Sequence, residues 1–269
     1  MGESNLSVRG FKKAIMAREK ITVLIPCGNE EKNLPDLLKT VGWADEVFVV
    51  DSFSKDRSVE IARGAGARVA QHEYVNSAAQ KNWAIPQCAH PWVLIVDCDE
   101  RVTAELRDEV LEKLEGGEGC DGFRVFRANH FMGRRIRFCG WQNDSCLRLF
   151  RRDKGRYQER EVHADVVVDG RVGALRNKLL HYTFSSFEQY MKKFDQYTTW
   201  AAGDRARRTK RVGWHHLALR PAWRFFRQYV IKLGFLDGLP GLIICSLAAY
   251  SVFMKYAKLW ERQQQSRNE

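Results

Sequence analysis

No C-x-x-C pair occurs among the seven cysteines of this chain. An odd, scattered set of thiols argues against a zinc site and against a closed disulfide framework, so a reducing compartment is expected. The first twenty residues carry five basic side chains but no uninterrupted apolar core, and a cleaved signal peptide is not expected. Internal repeats and low-complexity tracts are also missing, which leaves an ordinary globular composition. The uncharged run over residues 239–253 falls short of the roughly 20 residues needed to cross a bilayer.

What is present begins with 269 residues, enough to bury a full core, and best divided as one catalytic domain with an appendage. The net charge of +11 is unevenly placed: residues 1–185 hold 29 Lys and Arg against 27 Asp and Glu, whereas residues 186–269 hold 15 against 6. The excess of +9 in the last third calls for an acidic partner, such as anionic lipid, nucleic acid or a phosphorylated acceptor.

The stretch Trp92-Val-Leu-Ile-Val-Asp-Cys-Asp-Glu-Arg101 organises the rest. Its apolar run reads as a strand buried on both faces, the signature of a central strand in a largely parallel sheet. Asp97, Asp99 and Glu100 follow where the strand stops, and ligands of open α/β sheets sit beyond the carboxyl ends of strands. Two carboxylates so close repel unless something positive lies between or beyond them, and Mg²⁺ or Mn²⁺ carrying a phosphorylated ligand would serve. The same acids also suit an acidic strand-to-helix loop in which Thr103 caps the next helix.

Along the chain, strands are predicted over 21–25, stopped by Pro26, over 46–50 ending in Asp51-Ser52, over 68–70, and at the stretch ending in Asp97. Helices are predicted over 34–40 with Asn33 as cap, over 57–63 capped by Ser54 or Asp56 and closed by Gly64 and Gly66, and over 76–87 with Gln80-Lys81-Asn82 on its early turns. That alternation predicts a doubly wound, nucleotide-binding half. Beyond the Gly-rich turn at 116–119, short alternating segments over 122–128, 134–138, 145–150, 162–168 and 175–182 read as antiparallel strands. Helices are expected over 187–206, 221–233 and 240–260. Residues 220–232 interleave arginines with aromatics, as an interfacial helix does. The expected layout is a basic leader over 1–20, a catalytic domain over 21–185 and a basic, membrane-associating helical region over 186–269.

The runs Ile-Pro-x-x-Asn-Glu-Glu (25–31), Trp-Ala-Asp-Glu-Val-x-Val-Val-Asp-Ser (43–52), Gln-Lys-Asn (80–82), Trp-Val-Leu-x-x-Asp-x-Asp-Glu-Arg-Val-Thr (92–103) and Gly-Trp-x-x-Asp-x-x-x-Arg-Leu-Phe (140–150) resemble family 2 glycosyltransferases of the A-type fold. With Gly-Phe-Leu-Asp-Gly-x-x-Gly (234–241) and Lys-Tyr-Ala-Lys-Leu-Trp-Glu (255–261), the chain is most similar to the branch that adds sugars to the inner core of lipopolysaccharide. The resemblance implies an α/β fold with a doubly wound mixed sheet and an inverting transfer from a nucleotide-sugar, a UDP-hexose, to a lipid-linked saccharide. It implies Mg²⁺ or Mn²⁺ as cofactor and a peripheral or monotopic place on the cytoplasmic face of a bacterial inner membrane, on an anionic surface and without nucleic acid as partner.

By the same resemblance Pro26, Asn29, Glu30, Asp51, Ser52, Gln80, Lys81 and Asp97 would bind the nucleotide-sugar, with Lys81 near the diphosphate and Asp97 facing the ribose. Asp99 would hold the metal with His181, and Asp144 would be the general base. His163 matches a His-Glu pair of the family, but Ala164 replaces the Glu.

Other readings are weaker. Transfer of a sugar to a polyprenyl phosphate or another envelope glycan is the alternative within the family. A sugar nucleotidyltransferase would want a Gly-rich basic loop after the first strand, where Pro-Cys-Gly-Asn-Glu-Glu stands instead. A nucleic-acid-binding protein would be opposed by the acidic strand ends.

Overall fold

The computed structural model of the chain describes residues 18–116, 119–158, 165–184 and 186–268. Most of the expected leader, together with His163 and Ala164, therefore lies outside the described residues. The first half alternates as the sequence predicts: β1 (Ile21–Cys27), α1 (Leu34–Val41), β2 (Glu46–Asp51), α2 (Ser58–Gly64), β3 (Arg68–Gln71), α3 (Ser77–Ala84) and β4 (Trp92–Ile95). β5 (Glu100–Arg101) and α4 (Ala104–Gly116) follow, with the Thr103 hydroxyl accepting from the Leu106 amide as a cap should.

One face of β1 carries Ile21, Val23 and Ile25 into a core with Leu34, Leu37, Leu106 and Val110. Leu24 turns to the other face with Phe48, Val93, Ile95 and Phe150. Both faces are covered, which is why the strand shows no polar alternation.

Pro26 does not stop β1. It pairs with Val50 of β2, and the strand runs on to Cys27. The Val96 amide donates to Leu24, so that side of β1 faces β4, and the β1–β4 pairing ends at Leu24. The N–H that proline lacks would point the same way, past the last rung, so nothing is lost. Asn33 is likewise not a cap: its side-chain amide donates to Glu30 instead.

The late strands are β6 (Gly122–Phe131), β7 (Arg134–Arg135), β8 (Ser145–Arg151), β9 (Gly155–Tyr157), β10 (Val166–Val168) and β11 (Val172–Phe184). The main sheet runs β3-β2-β1-β4-β8-β6-β11-β5, with β7 on β6, while β9 and β10 form a ribbon. β8 is antiparallel to both β4 and β6, as expected for the late strands. β11 is not, because it lies parallel to β6, with His181 opposite Asn129. Alternation reports which face is wet and says nothing of direction, and the long excursion through β7 to β10 lets the chain return the same way.

Helices complete the chain: α5 (Phe187–Ala206), α6 (Trp214–Leu217), α7 (Leu219–Phe226) and α8 (Gly238–Asn268). The helix expected over 221–233 gives way after Phe226 to a wider π turn over Arg227–Ile231 and ends at Leu233, whose φ is +55°. α8 is longer than expected. The uncharged run sits inside a 31-residue helix, and the span Gly234–Gln265 is long and apolar enough to cross a membrane. Within α8 itself the first charged residue is Lys255, beyond the apolar stretch, and Asp237 stands just before the helix begins. Gly241 permits the bend that leads into it, since a Cβ there would lie 2.0 Å from the Gly234 carbonyl oxygen.

This helical region is bolted to the sheet. The Asp237 carboxylate accepts from the Arg137 and Phe138 amides at 2.9 and 2.8 Å, and Gln228 donates to the Cys139 carbonyl at 3.1 Å. Phe131, Ile136 and Cys139 share a core with Ile244 and Cys245.

Candidate active site

β1 pairs in parallel with β2 on one side and β4 on the other, so the carboxyl ends of all three open on the same edge. Cys27 lies opposite Asp51, and Asp97 follows two residues after Ile95, the partner of Leu24. At a strand spacing of about 4.8 Å this edge is the width of a nucleotide. Asp51 is fully buried: one oxygen accepts from the Ser54 amide and the Gln71 amide group, both at 3.0 Å, and the other has no partner among the described residues. A buried carboxylate oxygen left bare is costly unless a ligand supplies the donor. Ser52 accepts from Gln80 at 2.6 Å, which fixes α3 against the end of β2.

The loop after β1 is tied down from both sides. Asn29 has φ +56°, donates its amide to Ser54 and accepts from the Lys55 amide, both at 2.8 Å. Burial, reinforced by repulsion from Asp99, pushes the Glu30 carboxyl above its ordinary value against the opposing bond from Asn33.

Asp97 does not wait for a metal to balance its charge. Lys81 lies 3.1 Å from one of its oxygens and Arg148 donates to the other. Arg148 also reaches Glu100 at 3.0 Å, and Glu100 accepts from the Asp97 amide at 2.9 Å. Burial would raise the Asp97 carboxyl, but Arg148 and Lys81 win and hold it far below the usual range. Glu100, sealed from solvent and sharing Arg148 with Asp97, is shifted upward by burial. Lys81, which the sequence places near a diphosphate, is only 6% exposed and lies over the Tyr157 ring. The sequence reading missed Arg148, although a cation flanked by the buried Leu147 and Leu149 on an alternating strand is a signal that a buried acid must face it.

A second chain of contacts joins Asp99 to Asp144. His181 Nε2 stands 3.6 Å from Asp99, and its Nδ1 is 2.6 Å from the Asn129 carbonyl oxygen. Asn129 uses its amide group to donate to Asp144 at 2.8 Å, so its oxygen must accept. The proton of a neutral His181 therefore sits on Nδ1, and the Nε2 lone pair faces Asp99. Arg127 donates to the other Asp144 oxygen at 2.8 Å. Burial pushes the Asp144 carboxyl up, but the Arg127 and Asn129 bonds outweigh it and leave the group below its ordinary value. Arg127 and Asn129 were also missed, since Asn129 bears on the chemistry only when the β6–β11 register sets it opposite His181, and Arg127 only when β6 passes beside the residue before β8, Asp144.

Among the described residues no cluster of three His, Cys, Asp or Glu could enclose a metal ion. Asp99 and His181 offer a carboxylate and a lone pair, which fits a hard divalent cation that takes one or two protein ligands and fills its shell with phosphate and water. The Cys98 thiol, hydrogen-bonded to Cys27 and buried, is raised well above its ordinary value and is no nucleophile.

The family model described as Glycosyl transferase family 2 matches residues 22–179. The lipopolysaccharide core biosynthesis glycosyltransferase LpsC of Rhizobium meliloti is 30% identical over 90% of this chain and 92% of its own. An uncharacterized glycosyltransferase of Rickettsia typhi is 28% identical over 93% of this chain and 90% of its own. A solved structure of glucosyl-3-phosphoglycerate synthase from Mycobacterium tuberculosis, in complex with Mn²⁺, UDP and glucosyl-3-phosphoglycerate, overlaps 43% of this chain and 45% of that one at 20% identity and a TM-score of 0.36.

Proposed function

The chain belongs to glycosyl transferase family 2 and has the A-type α/β fold, and from that premise we propose that it is a metal-dependent, inverting enzyme that moves a hexose from a UDP-sugar to a lipid-linked saccharide such as lipopolysaccharide core. The observation that carries this reading is the shared edge of β1, β2 and β4, where a bare Asp51 oxygen, the Lys81–Asp97–Arg148 group and the Asp99–His181–Asn129–Asp144 chain stand together.

Glu30 and Asp51 accept from the base N–H and ribose hydroxyls, in a wall shaped by Pro26, Asn29, Ser52 and Gln80. Lys81 and Arg148 keep Asp97 ionised and aimed at the ribose. Asp99 and His181 would hold Mg²⁺ or Mn²⁺, which when bound neutralises the leaving diphosphate. Asp144 takes the acceptor hydroxyl proton as that oxygen bonds to the anomeric carbon from the face opposite the diphosphate. The Arg127 and Asn129 bonds keep Asp144 ionised across the neutral range, so its share of the rate is lost only as pH falls through its depressed value.

The name of the Rhizobium meliloti relative supports a lipopolysaccharide-core acceptor. The long apolar α8 supports membrane association, to which the reading adds a peripheral or monotopic place on the cytoplasmic face of a bacterial inner membrane. The test is calorimetry with UDP-glucose, UDP-galactose and GDP-mannose, each with and without Mn²⁺, followed by transfer assays on membrane-extracted acceptor. A UDP-sugar should bind only with the metal and be transferred. Binding of none overturns the enzyme reading, and equal binding without Mn²⁺ overturns the role given to Asp99 and His181.

A further inference from the structure

The strongest feature outside the sheet is a cleft of about 510 Å³ between α5, α7 and α8. Arg205, Arg220, Arg224, Arg227 and Lys255 line it with Leu219, Trp223, Val252 and Tyr256, and no aspartate or glutamate among the described residues does. Arg220 donates to the Tyr256 hydroxyl at 2.5 Å, and Arg220 and Lys255 approach the Tyr256 ring at 5.3 and 5.1 Å. For the remaining guanidinium groups no carboxylate among the described residues forms an ion pair, and like charges held together without a counter-charge repel. Burial and the neighbouring Arg227 pull the Arg224 guanidinium below its ordinary value, the direction expected of a cation cluster short of an anion.

α7 arranges these groups in two stripes. Arg220, Arg224 and Arg227 recur at helical spacing on the face toward the cleft. One position earlier, Leu219 and Trp223 form the apolar part of the same cleft wall yet are 56% and 57% exposed, with Phe226 and Val230 continuing the row beyond it. Trp223 stacks on Phe226 with centroids 5.8 Å apart. A cationic cleft beside an exposed aromatic stripe complements a molecule with a phosphate at one end and acyl chains at the other.

We propose that this cleft binds the headgroup phosphate of an anionic phospholipid, while Leu219, Trp223 and Phe226 lie against its acyl chains. The proposal rests on the membrane reading of the helical region but is separate from the sugar-transfer site, and no donor is needed to test it.

The full chain, held in a non-ionic maltoside detergent, is titrated with phosphatidylglycerol or phosphatidylcholine, and bound lipid is counted by native mass spectrometry. Phosphatidylglycerol should bind more tightly, and R224Q/K255Q should weaken it by roughly tenfold while leaving phosphatidylcholine unchanged. The charge-preserving R224K/K255R and the distant K39Q/R63Q should bind as the parent does. If R224Q/K255Q does not fold, the exposed R227Q carries the test alone, with a smaller loss expected in the same direction. Equal affinity for the two lipids, or equal loss in R224Q/K255Q and K39Q/R63Q, overturns the cleft but leaves membrane association standing. Retention of neither lipid overturns both. Full competition by inorganic phosphate at equal concentration overturns the assignment to lipid.

Discussion

At the carboxyl ends of β1, β2 and β4 the charged side chains Asp51, Lys81, Glu100 and Arg148 are sealed from solvent, whereas Trp223 on α7, Leu236 in the turn before α8 and Leu239 on α8 stand more than half exposed. Each arrangement is unfavourable by itself. Buried charge is tolerated when a partner answers it, and here Lys81 and Arg148 answer Asp97 and Glu100 within the chain. Large exposed apolar faces need a cover that α7 and α8 do not find among the described residues. The charges at the sheet's edge are largely answered from inside, although Asp51 Oδ1, Arg127 Nε and Thr183 Oγ1 have no partner among the described residues, and the helices keep an apolar face turned outward.

The comparison can be broken most severely at Asp144. D144N should lower kcat by roughly 10²- to 10⁴-fold with donor affinity and melting temperature little changed, measured by sugar-transfer rates and calorimetry. Next comes R148M, which leaves Asp97 to Lys81 alone and the buried Glu100 to Arg127 at 3.7 Å, and should cost about 3–5 kcal/mol in urea unfolding.

The same group sets an acid limit. Asp97 is depressed in the folded chain, so the unfolded chain binds its proton first as pH falls, and the stability it contributes is present above the ordinary carboxylate value. That contribution should be lost progressively below about pH 4, and D97N should remove this part of the slope in pH-dependent unfolding.

D237A acts at the join between the two regions. Losing the carboxylate that holds the Arg137 and Phe138 amides should cost about 1–3 kcal/mol and lower kcat through the loop leading to Asp144, with donor affinity unchanged. The smallest effect on folding is expected from W223S, within about 0.5 kcal/mol in detergent, although retention on membranes should fall clearly in a flotation assay.

Much of the donor edge was legible because it is local. A parallel strand buried on both faces announces itself by a run of apolar residues, and its acids must fall at its end, as Asp51 and Asp97 do. The answering cations were harder to read. Arg148 lies 51 residues from Asp97, and only the β4–β8 pairing brings them together. Asn129 gains meaning from the parallel β6–β11 register, which alternation could not reveal, and Arg127 from the approach of β6 to Asp144. In the helical region the sequence marked the aromatic and arginine stripes correctly. It underestimated α8, because helices continue through charged residues once their first turns are set.

The Asp237 clasp and the packing of Phe131, Ile136 and Cys139 on Ile244 and Cys245 have a practical side. An attempt to obtain a water-soluble catalytic fragment by ending the chain at residue 185 would strip the lid from that cluster and unfasten the backbone leading to Asp144. Solubility engineering should keep every helix and replace only outward-facing apolar side chains such as Leu236 and Leu239.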